Sequence, residues 1–189
     1  MSELFSIQLQ NRQQQGRDGV WLDLPTTTEQ VQAALRQIGI SSDNPQGLFI
    51  SGYFAEEEKR FAIPYNMVLA SNVDELNFLA ARLETLSNAE RTELNAALQT
   101  PQSELSSIGK ITDFPENVDY YVHLPDVHGP AQLGDYYLNR SGMVDMPEEW
   151  KGGIDTAQFG RYVAQQEQGA FTEYGYLVNC LLYTSDAAD

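Results

Sequence analysis

His123, Asp126 and His128 fall within HLPDVH and are the side chains in this sequence nearest to a metal-ligating set. A metal asks for three or four convergent ligands. Here His123 lies on an expected strand and His128 in a loop beyond Pro125, which favours two separate histidines over a metal site. Glu148 and Glu149 are the nearest carboxylate pair, but acid–base work needs two groups facing one cleft with separated pKa values. Adjacent residues at a helix start diverge instead, and after Pro147 both suit the positive end of a helix dipole. Asp155, three residues before Gln158, reads as an N-cap. The sequence contains no phosphate-binding loop, dinucleotide fingerprint or nucleophile elbow. Its eleven Lys and Arg are scattered, so it carries no nucleic-acid footprint. These residues point away from an enzyme and from a cofactor.

Local capping does not account for so much carboxylate. The 189 residues hold 27 Asp and Glu against 11 Lys and Arg, a formal charge of -16. Residues 1–62 carry 8 acids and 5 bases, residues 63–112 carry 6 and 3, and residues 113–179 carry 11 and 3. A coating kept for solubility would be spread more evenly. Such a surface repels nucleic acid and anionic membrane and attracts basic partners.

Hydrophobic residues at 42% allow a real core. With no apolar run of membrane-spanning length and no basic-plus-apolar leader, a soluble cytoplasmic protein is expected. The last ten residues, CLLYTSDAAD, bear no relation to the strand pattern before them. They resemble the in-frame translation of a sequencing-library adapter. Setting 180–189 aside as non-native removes the only cysteine, and with it any disulfide or thiolate site.

The elements that must position the carboxylates read as an α+β chain of three small domains. Residues 1–65 form a mixed unit. FSIQLQ and VWLDLP alternate as strands around a QQQGRDG turn, and Pro25 closes the second. A helix capped by Thr26 with Glu29 follows, carrying Val31, Ala34, Leu35 and Ile38 to Gly39. GLFISGYFAEEEKRFAIP reads as a strand, a solvated charged turn at 56–60 and a second strand. Residues 66–112 are helical, with boxes at Ser71/Asp74 and Ser87/Glu90 and a stop at Pro101. Residues 113–179 form a second mixed unit: a YYVHLP strand, a helix from Pro130 to Gly142, a helix from Asp155 and a closing GAFTEYGYLVN strand. Tyr120, Tyr121, Tyr136, Tyr137, Tyr174 and Tyr176 are candidates for core or for interface anchors.

Three spaced segments carry a resemblance. GVWLDLP is similar to a Gly-x-Trp-x-x-Leu-Pro segment, and SNVDELNFLAARLETLS to a Glu-Leu-Asn helix, of the antirestriction protein ArdA family. Gly142, Asp145, Pro147 and Glu148, then GIDTAQFGRY, then GAFTEYGYLV resemble that family's late motif in the same order. Two departures stand out: Gly153-Ile154-Asp155-Thr156 replaces Tyr-Ile-Asp-Tyr, and Tyr162 replaces the Asp after the Arg, so one acid of the motif is absent.

The resemblance implies a protein encoded by plasmids, transposons or phages. It implies an elongated three-domain chain that dimerises through its C-terminal domain and needs no cofactor. Its surface carboxylates would imitate duplex phosphates and occupy the DNA groove of type I restriction–modification enzymes, on the methyltransferase core. The mimic surface is then expected at Asp113, Glu116, Asp119, Asp126, Asp135, Asp145, Glu148 and Glu149. Glu84, Glu90 and Glu93 would extend it along the helical part, and Asp155 serves as cap or contact. Phe159 and Tyr162 are candidates for core or dimer packing. An acidic adaptor for another basic, DNA-associated protein is the alternative.

Overall fold

A computed structural model describes residues 3–14, 18–41 and 46–180. In chain order the elements are β1 (Phe5–Asn11), β2 (Val20–Leu24), α1 (Thr28–Gln37), β3 (Leu48–Phe54), α2 (Tyr65–Leu69), α3 (Val73–Glu84) and α4 (Asn88–Leu98). There follow α5 (Ile108–Thr112), β4 (Tyr121–Leu124), α6 (Pro130–Asp135), α7 (Glu148–Lys151), α8 (Thr156–Gln166), β5 (Ala170–Thr172) and β6 (Gly175–Asn179). Part of the turn expected at 13–19 and most of the 180–189 tail lie outside the described residues. Among the described residues no helix is long and apolar enough to cross a membrane.

Backbone contacts group the chain into two compact units, Met1–Ser87 with Leu105–Pro115, and Asn88–Glu104 with the chain from Glu116 onward. The helices expected as one middle segment are thereby divided. α2, α3 and α5 join the first unit and α4 joins the second. The chain passes between these two units three times.

In the first unit β1 is the centre of an antiparallel sheet of order β2-β1-β3. Its strict alternation follows from that place: Phe5, Ile7 and Leu9 are buried while Ser6, Gln8 and Gln10 are less so. Leu22 and Leu24 of β2 share the buried face and leave Trp21 half exposed. Leu76, Leu79 and Leu83 of α3 are wholly buried, as the sequence stripe requires.

Two caps sit one residue later than expected. Thr27 rather than Thr26 caps α1, accepting from the Gln30 N–H at 3.4 Å while Gln30 Oε1 accepts from the Thr27 N–H at 3.3 Å. Asn72 rather than Ser71 caps α3, accepting from the Glu75 N–H at 2.9 Å. Ser71 instead donates its hydroxyl to the Met67 carbonyl at the end of α2. The second strand expected near FAIP is absent among the described residues. Phe61 and Ile63 are buried, but residues 60–64 pair with no strand.

Asn77 of α3 fastens the loop after β2. Its Oδ1 accepts from the Thr26 N–H at 2.7 Å, and its Nδ2 donates to the Thr26 carbonyl at 3.0 Å. Two polar backbone groups of a partly buried loop are thereby satisfied by one side chain.

The second unit centres on β6, in a sheet of order β4-β6-β5 with both neighbours antiparallel. All five β6 residues are buried, because α4 also packs on this strand. GAFTEYGYLVN is therefore a hairpin and not one strand. Tyr174 sits in its turn, where its N–H donates to Thr172 Oγ1 at 3.1 Å. Gly175 has φ +114°, and a Cβ there would lie 2.5 Å from the Leu124 carbonyl oxygen, so only glycine fits.

Val127, Leu133, Tyr176 and Val178 form the core of this unit. Pro130 opens α6 at its first turn, as the sequence indicates, and a π-helical turn over Tyr136–Arg140 continues it. α6 and α8 meet backbone to backbone. A Cβ on Gly134 would fall 1.9 Å from the Thr156 carbonyl oxygen, and one on Gly160 would fall 1.8 Å from that of Pro130.

Candidate functional site

The acidic side chains are held at the ends and outer faces of these elements. The second unit carries thirteen Asp and Glu against four Lys and Arg over residues 88–104 and 116–180. The first carries twelve against seven, so the net charges are -9 and -5. Of the twelve carboxylates expected to form a binding surface, Glu84 and Asp113 belong to the first unit and ten to the second. Asp113, Glu116, Asp119, Asp126, Asp145, Glu148, Glu149 and Asp155 are exposed. Glu84, Glu90, Glu93 and Asp135 are half-buried.

Their charges are not equally free. Asp135 lies 3.4 Å from the Arg140 guanidinium and accepts from the Asn139 amide at 2.8 Å. Glu148 accepts from the Lys151 ammonium at 2.6 Å. Asp155 caps α8, accepting from the Gln158 N–H at 2.9 Å, as expected from its spacing. Glu148 and Glu149 open α7 directly after Pro147, which sits one position earlier than the first helical residue proper.

Glu93 stands apart. It lines a cavity of about 700 Å³ in the second unit with Asn88, Ala89, Thr92, Val118, Asp119, Tyr121, His123 and Pro125. Burial pushes its carboxyl up to about 7, and the negative charges of Glu90 and Asp119 push the same way. Burial also raises the Tyr121 phenol, with Glu104 and Glu93 adding to the effect.

The histidines are engaged with backbone. His123 Nε2 lies 2.8 Å from the Tyr174 carbonyl oxygen, and His128 Nδ1 lies 3.5 Å from that of Thr172. Among the described residues no group of three or more His, Cys, Asp or Glu side chains could hold a metal ion.

Three acids not singled out from the sequence have defined places. Glu167 accepts from the phenols of Tyr137 and Tyr176, the latter at 2.9 Å, and so ties the end of α8 to the core. Glu173 accepts from the Gln99 amide. Glu104 sits exposed with φ 59°. No local signal in the sequence marks the Glu167 bridge, whose partners lie 30 residues before and 9 after it. Of the six tyrosines, Tyr176 is wholly buried and Tyr120 is exposed. Tyr162 is exposed on α8, and Phe159 is partly buried.

No curated protein matches the chain. The family model described as antirestriction protein (ArdA) matches residues 15–178, which begin after β1, reach into both units and include every carboxylate named above. With that match covering most of its length, the chain belongs to the ArdA family of antirestriction proteins.

Proposed function

We propose that this protein inhibits type I restriction–modification enzymes by occupying their DNA groove, its surface carboxylates standing in for duplex phosphates. What carries the reading is the excess of thirteen acids over four bases in the second unit of a chain from an antirestriction family. Duplex DNA presents one negative charge per ~1.7 Å of axis, and a groove built to receive it is lined with Lys and Arg. Carboxylates fixed on folded elements meet that lining without the ordering cost a flexible acidic tail would incur. Asp113, Glu116, Asp119, Asp126, Asp145 and Glu149 offer exposed contacts. Asp135, Glu148 and Asp155 have their charge engaged locally and contribute less. Glu84, Glu90 and Glu93 extend the surface.

The target would be the methyltransferase core. The active species would be a cytoplasmic homodimer, for which exposed Met143, Trp150 and Tyr162 offer apolar contact area.

The test is a competition titration. A type I methyltransferase core is bound to its labelled DNA site, the chain is added, and the titration is repeated across salt concentrations. Displacement at near-stoichiometric amounts, weakening steeply as salt rises, is the expected result. Undisplaced DNA at low salt would overturn the reading and bring forward an acidic adaptor for some other basic protein.

A further inference from the structure

We infer that the Glu93 cavity of the second unit receives the cationic side chain of a basic partner protein, Glu93 and Asp119 holding its charge. The inference rests on the competitive reading above and assigns one of its contacts a built receptor. A cavity of about 700 Å³ falls within the roughly 300–1,000 Å³ typical of ligand pockets. Its lining has the two parts that a lysine or arginine needs. Ala89, Val118, Pro125 and the Tyr121 ring can pack an aliphatic stem, and the two carboxylates can meet the charged head.

Several other polar groups of the cavity are already used, Thr92 Oγ1 among them, which donates to the Asn88 carbonyl at 2.9 Å. The Tyr121 hydroxyl donates to the Ser103 carbonyl at 2.9 Å, and His123 Nε2 lies 2.8 Å from the Tyr174 carbonyl oxygen. Among the described residues no cation forms a salt bridge with Glu93 or Asp119.

Charge complementarity therefore fixes the occupant. Glu90 and Glu93 approach from α4, Asp119 from the segment leading into β4, and Tyr121 and His123 from β4 itself, while Glu104 acts on Tyr121. None of these groups is a fixed cation, and the charges of Glu90 and Asp119 make Glu93 harder to ionise. A bound guanidinium or ammonium reverses that, as it favours ionised Glu93. Binding must then release a proton near neutrality and strengthen as pH rises through about 7.

The experiment uses the full chain. Side-chain NMR signals of Glu93, Asp119, Tyr121 and His123 are followed while Nα-acetyl-arginine amide is added, and again with the neutral citrulline counterpart. A saturable shift from the arginine compound alone is expected, several-fold tighter at pH 8 than at pH 6. It should be lost in Glu93→Gln, weakened in Asp119→Asn and unchanged in Glu58→Gln. No saturable shift, equal response to citrulline, or unaltered binding by Glu93→Gln would overturn the proposal.

A second arm repeats the DNA displacement assay. There Glu93→Gln should weaken the inhibitor about five- to tenfold, more than Glu149→Gln, which removes one exposed charge. An equal loss from both variants would overturn the receptor role. The two failures are separable. Arginine binding without displacement sinks the restriction-enzyme reading and the partner named with it. Displacement without arginine binding sinks the cavity alone.

Discussion

A carboxyl held up near 7 makes stability depend on pH in a defined direction. Glu93 is raised from the usual carboxylate value of 4.5 by burial, with Glu90 and Asp119 adding repulsion. Between those two values the folded chain binds more protons at this site than the unfolded chain does. Stability is therefore highest on this account below about 4.5 and is lost as pH rises through about 7. The carboxyl is only half-buried, so solvent screening reduces the effect to about 1 kcal/mol. Glu93→Gln should flatten the fall in stability between pH 5 and 8 and leave the variant about 1 kcal/mol more stable than the parent at pH 8. Urea denaturation at several pH values checks this; a variant with the parent's slope contradicts it. A site kept at some cost to the free protein is the pattern that functional residues show.

At the scale of elements, the crossing of α6 and α8 is the least forgiving contact. Carbonyl oxygens of Thr156 and Pro130 lie where the Cβ atoms of Gly134 and Gly160 would be, and backbone cannot swing aside as a side chain can. Gly134→Ala or Gly160→Ala should each cost about 3 kcal/mol or more despite alanine's better helix propensity, because the helices must separate. Gly152→Ala, with nothing within 4 Å of its Cβ, should change the melting temperature little. Thermal melts of the three variants decide it, and an unchanged melt for Gly160→Ala would contradict the packing.

Much at this scale was legible in the sequence, and its failures have physical causes. TTTEQ holds two capping boxes in adjacent registers, Thr26/Glu29 and Thr27/Gln30, and the apolar stripe that follows is the same for both. SNVDE repeats the ambiguity with Ser71/Asp74 and Asn72/Glu75. Alternation in FAIP encodes which side chains are buried, not whether a partner strand exists. The capping place of Asp155 followed from local signals. The seclusion of Glu93 did not, because Asp119 and Tyr121 reach it from 26 and 28 residues further along the chain.

For the molecule as a whole, sequence order and spatial grouping part company at residues 87–115. α4 follows α3 closely, yet it packs on β6 in the other unit, and residues 105–115 then return. A fragment of 113–179, the domain that composition suggests, would lack α4 and the Ser103 carbonyl that accepts from Tyr121. Leu94, Ala96 and Ala97 are wholly buried, so removing their helix exposes apolar surface worth several kcal/mol against a typical total of roughly 5–15 kcal/mol. The fragment should give a collapsed, poorly dispersed NMR spectrum, and extending it back to residue 88 should restore dispersion. A well-dispersed spectrum from 113–179 alone would contradict this grouping.

The same interleaving bears on inheritance. A single recombination breakpoint between two relatives joins the front of one gene to the back of another. With the chain passing between units at 87, 104 and 115, every such joint leaves at least one unit assembled from both parents. A joint at 87 mixes the first unit, a joint at 115 mixes the second, and a joint at 104 mixes both. Surfaces that must meet, such as α4 on β6 for a joint at 104 or 115, would then come from separate lineages. Exchange of halves is thus penalised, and diversity in proteins built this way should accumulate by substitution on the outer faces.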